Sequence, residues 1–121
     1  MKKIVKLLSL SAVIMLMLSL TGCYYDELQV APLPPVEQDV SFATDIQPIF
    51  DAKDCMQCHN ASRNPDLREG LAYASLVPAY AAPNDSEGSQ LLTKLMDGHR
   101  SVADFDIALI KAWIDQGAKN N

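Results

Sequence analysis

Five consecutive residues constrain this chain more than anything else in it: Cys55-Met56-Gln57-Cys58-His59. Two thiols with two residues between them, followed at once by an imidazole, place three metal- or ligand-gripping groups within reach of one object. The rest of the sequence makes such an object useful. From Tyr24 to about Val40 the chain contains Pro32, Pro34 and Pro35 and no apolar period, so it reads as an extended, solvated tether. An ordered domain is expected from Ser41 onward, which leaves about 80 residues, near the lower limit for a self-sufficient hydrophobic core. Domains of that size usually add a disulfide, a metal or a cofactor as a staple.

The C-x-x-C-H spacing is that of covalent haem attachment. Two thiols at this interval reach the two vinyl groups on one edge of a porphyrin. His59 then lies under the iron as the proximal ligand. The expected cofactor is therefore haem c with its iron, held by Cys55, Cys58 and His59. Three other readings use the same residues. A zinc site would need two ligands beyond Cys55 and Cys58, for which His99 is the one obvious candidate. A thiol redox centre belongs beside a βαβ pattern, which is absent. A plain Cys55–Cys58 disulfide leaves His59 without a role.

The N-terminus gives the setting. Lys2, Lys3 and Lys6 precede a run from Leu7 to Leu20 that is apolar except for Ser9, Ser11 and Ser19. That run falls short of the roughly 20 apolar residues of a spanning helix. It has the layout of an export signal, with a short membrane anchor as the alternative. Leu20-Thr21-Gly22-Cys23 resembles the lipobox of bacterial lipoproteins. The resemblance implies a signal peptide over residues 1–22, a lipidated Cys23 as the first mature residue, a tether over 23–40 and a domain over 41–121. Tyr24, rather than Asp, follows the Cys, which by the same resemblance favours the outer membrane, with a periplasmic or cell-surface location. The full chain has 10 Lys+Arg against 15 Asp+Glu, a net charge of −5. Loss of Lys2, Lys3 and Lys6 leaves 7 against 15, or −8. Such a chain lacks the basic face that nucleic-acid binding requires.

Helical periods recur through the domain. Phe42, Ile46, Ile49 and Phe50 share a face over a helix expected from Thr44 to about Lys53, with Thr44 and Gln47 at capping-box spacing and Pro48 in the opening turn. Residues 60–70 are polar, with Asn64-Pro65 marking a turn. A short helix is expected over Leu71–Leu76, then a loop over Ala79–Gly88. Leu91, Leu92, Leu95 and Met96 form the apolar side of a helix over Ser89–Met96, which Gly98 stops. Ile107, Ile110, Trp113 and Ile114 mark a last helix from Asp104, read as its N-cap, to Gln116, with Gly117 closing it. No strand is evident, so the fold class is all-α.

On these residues the chain resembles c-type cytochromes, in particular the small single-haem domains of lipoproteins from Bacteroidota and Planctomycetes. The resemblance rests on Ile46-Gln47-Pro48-Ile49-Phe50, the haem motif, Gly70-Leu71, Ser89-Gln90-Leu91-Leu92, and the closing Leu109-Ile110-Lys111-Ala112-Trp113-Ile114-Asp115-Gln116-Gly117-Ala118. It implies a class I cytochrome c fold, with N- and C-terminal helices crossing beside the haem. Many such relatives carry a Met-Pro-Pro loop whose Met binds the iron, and this chain has none. The sixth ligand is then His99, in a loop just past Gly98, or Met96, which also continues an apolar helix face, or water at an open position.

Tyr73, Tyr80 and Trp113 are candidates to border the haem, although the period of Trp113 suits helix packing. Asp51, Asp54, Asp104 and Asp106 read as a solvated face, with an acidic patch for a basic redox partner as the alternative. The expected function is membrane-tethered electron transfer with redox proteins as partners, and no catalysis, small-molecule substrate or nucleic acid. A haem-bearing accessory subunit of a surface or oxidase complex is the alternative, and a small peroxidase-like enzyme a more distant one. The latter would need an open iron with distal acid–base groups.

Overall fold

The first helix of the packed domain begins where a serine can cap it. Ser41 is extended, and its hydroxyl accepts the Thr44 N–H at 3.3 Å while the Asp45 carboxylate accepts the Ser41 N–H at 2.8 Å. This reciprocal pair replaces the Thr44/Gln47 box expected from the sequence. The cap falls three residues earlier because the opening turn is a π-helix, Phe42–Ile46, which runs directly into α1, Gln47–Ala52. Pro48 sits in the first turn of α1.

The computed structural model describes residues 1–6 and 31–121. The chain divides into two units, Met1–Ala31 and Pro32–Asn121. Of the first, residues 2–6 are helical, and the Val5 N–H donates to the Met1 carbonyl at 3.2 Å. The Leu7–Leu20 run and Cys23 lie outside the described residues. No helix among the described residues is long and apolar enough to cross a membrane.

In the second unit a 3₁₀ turn, Cys55–Gln57, follows α1 after a left-handed Asp54. Then come α2 (Ala72–Leu76), α3 (Gln90–Met96) and α4 (Asp104–Asp115). The described residues contain helices and turns and no strand, the all-α class expected. The N-cap of α4 is Ala103, not Asp104. Asp104 and Asp106 occupy the first turn instead, where carboxylates complement the helix dipole.

The core forms where α4 meets the π-helical turn and α3. Ile46, Ile110, Trp113 and Ile114 are fully buried, and Phe42 and Phe50 nearly so. Trp113 stacks at a tilt on Phe42 with centroids 5.2 Å apart, and Phe42 meets Tyr73 edge-on at 5.4 Å. The polar ends of both partners are satisfied: Trp113 Nε1 donates to the Lys119 carbonyl at 2.9 Å and the Tyr73 hydroxyl to the Ala118 carbonyl at 3.0 Å.

The C-terminal segment fastens this unit. Asn121 accepts the N–H groups of Phe42 (side-chain oxygen, 3.0 Å) and Ala43 (carbonyl, 2.9 Å), two donors that a helix start leaves free. Gln116 accepts the Val40 N–H at 2.8 Å and donates to the Gln38 carbonyl at 3.0 Å. Val40 is buried, and Leu33 and Val36 lie half-buried on the core. The packed unit thus takes in the proline-rich segment just before Ser41.

Candidate functional site

The stretch between α1 and α2 is tied down at both ends. His59 closes a turn by donating its N–H to the Cys55 carbonyl at 2.9 Å, and its own carbonyl accepts the Leu67 N–H at 3.0 Å. Leu67 is buried, and its carbonyl accepts from the buried Gln47 side chain of α1 at 3.1 Å. The polar stretch expected as a loop is therefore pinned against the first helix. Its second anchor sits on the imidazole. His59 Nδ1 lies 3.1 Å from the Pro65 carbonyl. A carbonyl can only accept, so Nδ1 carries the proton and Nε2 keeps its lone pair for a metal.

The facing side of the site is built by the end of α3. Gly98 has φ +81°, and its N–H donates to the Leu95 carbonyl at 3.1 Å while the His99 N–H donates to the Lys94 carbonyl at 3.0 Å. These two bonds form a Schellman cap, with His99 as its second residue beyond the helix. Helix termination thus aims His99, and a side chain at 98 would oppose the turn.

Between these two walls lies an open cavity of about 470 Å³, within the range of small-molecule sites. Cys55, Cys58, His59 and His99 all line it, with Ile49, Phe50, Leu67, Leu95 and Ile110 as its apolar floor. The His59 and His99 rings have centroids 6.0 Å apart and planes at 75°. Two imidazoles that grip one metal from opposite sides, each nitrogen about 2 Å from it, have centroids about 6 Å apart. The centroid spacing of this edge-to-face pair equals that value and would admit a single ion between the rings. The apolar floor suits a flat hydrophobic ligand around that ion, and both thiols border the same space.

Met96 is 54 % exposed and does not line the cavity. Tyr80 borders it, whereas Tyr73 and Trp113 belong to the aromatic cluster of the core. Of the four acidic residues of interest, Asp54 alone is on the cavity wall, beside Arg63, Lys94 and Arg100.

Burial pushes the Cys55 thiol above its ordinary range, and the nearby Arg100 guanidinium pulls partly against it. Cys58 is exposed. Among the described residues no group of three or more His, Cys, Asp or Glu converges as metal ligands, whereas a protein-only zinc site wants four.

Three contributors escaped the sequence reading: the Pro65 carbonyl, Gln47 and Arg100. The carbonyl had no signal, since every residue has one. Gln47 was visible as a candidate cap and as part of the Ile46–Phe50 segment, and Arg100 gave no signal. No protein-family model matches the chain, and no match is found among curated proteins or solved structures.

Proposed function

We propose that the Pro32–Asn121 unit is a cytochrome c domain that carries one haem and transfers electrons, tethered to a membrane through lipid on Cys23. The observation that supports this best is the pair of imidazoles 6.0 Å apart in a cavity bordered by both thiols of the C-x-x-C-H motif. Cys55 and Cys58 would hold the porphyrin edge through thioethers, and His59 and His99 the iron. Bound haem supplies a one-electron ferrous/ferric couple, whose potential two imidazoles keep lower than a Met/His pair would.

The chain's own residues do the rest. The Pro65 carbonyl fixes the tautomer and angle of His59. The Schellman cap directs His99. Ile49, Phe50, Leu67, Leu95 and Ile110 keep water from one side of the cavity. The exposed Cys58 marks an edge at which a redox partner can approach. With both imidazoles on the iron, no metal position would be left for peroxide, which favours a carrier over an enzyme.

A pyridine haemochrome assay and intact mass on protein matured in a host with a haem-attachment system test this. One haem per chain is expected, bound through two thioethers. A colourless product, or zinc held by Cys55 and Cys58, overturns the reading. A Met-to-iron charge-transfer band at the red edge of the oxidised spectrum would move the sixth position to Met96.

A further inference from the structure

His99 stands between two residues in the left-handed region, Gly98 at φ +81° and Arg100 at φ +63°. Glycine adopts this conformation freely, whereas a residue with a Cβ does so only when something holds it there. For Arg100 the holding contact is visible. Its Nε donates to the Lys53 carbonyl at 2.8 Å, across a sequence separation of 47. Lys53 is the C-cap of α1, two residues before Cys55. Carbonyls at that end of a helix lack intrahelical partners and carry the negative end of its dipole, so a guanidinium is a fitting donor. The Arg100 carbonyl in turn accepts the Val102 N–H at 2.8 Å, which tightens the segment leading into α4.

These contacts give the His99 segment two fastenings. The Schellman cap ties it to α3, and Arg100 ties it to the segment that presents Cys55. We propose that Arg100 is a positioning residue: through the Lys53 carbonyl it keeps His99 opposite His59 and so closes the sixth metal position to outside ligands. The proposal rests on the haem reading above and adds the device that makes its sixth ligand hold.

Carbon monoxide binding to the reduced holoprotein tests it, after haem content has been measured by pyridine haemochrome. Absence of haem from the parent protein speaks against the haem reading itself, apart from anything Arg100 does. With haem present, Arg100→Met, which matches the side chain as far as Nε but has no donor, should bind carbon monoxide about ten-fold faster, the scale of one charge-assisted hydrogen bond. Arg100→Gln places an amide nitrogen at the same distance along the side chain and should stay close to the parent. Hydrogen exchange at the Val102 amide should quicken in Arg100→Met and not in Arg100→Gln. An Arg100→Met protein that binds carbon monoxide at the parental rate overturns the proposal. So does an Arg100→Gln protein as fast as Arg100→Met, which would take the role away from the N–H. Arg100→Ala gives the same loss by a second route. Failure of both Met and Ala variants to retain haem also counts against it, since attachment at Cys55 and Cys58 does not depend on this contact.

Discussion

The two thiols of the motif differ in their surroundings although three positions separate them. Cys58 is exposed, whereas Cys55 is half-buried with its thiol pushed up by burial. The thiolate is the reactive form of cysteine, so restricted access and the upward push of burial both slow Cys55. In protein made without haem attachment, iodoacetamide near pH 8 should modify Cys58 several-fold faster than Cys55, as read by peptide mass spectrometry. Equal rates would mean that Cys55 is not shielded. At this scale the sequence was informative wherever a spacing is set by covalent geometry. Cys55, Cys58 and His59 stand out because the proposed haem attachment, through two vinyl groups and an iron, would fix their order. His99 was recognisable as one of only two histidines in a chain without a Met-Pro-Pro loop. The Pro65 and Lys53 carbonyls were not, because a main-chain acceptor looks the same at every position and only the fold selects it.

Helices were legible through their apolar periods, and their ends less so, for a definite reason. Ile107, Ile110, Trp113 and Ile114 bury the face that their spacing predicts. The start of the first helix, in contrast, is decided by Asn121 as well as by Ser41 and Asp45, and a partner 79 residues away leaves no local mark. Glycines in left-handed turns are the exception, since a single residue type suits the turn: Gly98 ends α3, and Gly70 lies in a turn outside any helix cap. Gly98 and Gly70 sit at φ +81° and +77°, and a Cβ at either would meet nothing within 4 Å. Substitution by Ala therefore costs backbone strain alone, about 1 kcal/mol. Each variant should melt lower by ~4–8 °C. Only Gly98 belongs to the cap that aims His99, so Gly98→Ala should also speed carbon monoxide binding while Gly70→Ala should not. Melting curves and ligand kinetics on the two proteins check this. Equal kinetics would separate the α3 cap from the site.

At the scale of the whole molecule, charge bears on the membrane attachment proposed above. Without its first three lysines the chain carries 7 basic against 15 acidic residues. Anionic lipid headgroups attract polybasic segments and repel a surface of this sign. Electrostatics therefore supplies no second anchoring signal, and none of the helices among the described residues is long and apolar enough to span a bilayer. On the lipoprotein reading proposed above, retention would come from acyl chains, at about 0.8 kcal/mol per buried CH₂, and one chain gives only marginal binding. Cys23 is the residue placed to carry them, directly after the apolar run. Cys23→Ser should move the protein from the membrane pellet to the soluble fraction, at low salt as well as at high. The Pro32–Asn121 unit, with the haem proposed for it, should be unaffected and its absorption spectrum unchanged, because Cys23 lies outside this unit that builds the cavity. Fractionation with haem absorbance as the readout measures both at once. Retention of Cys23→Ser at the membrane would assign anchoring to the Leu7–Leu20 run acting as an uncleaved segment, and the lipid would then have no role.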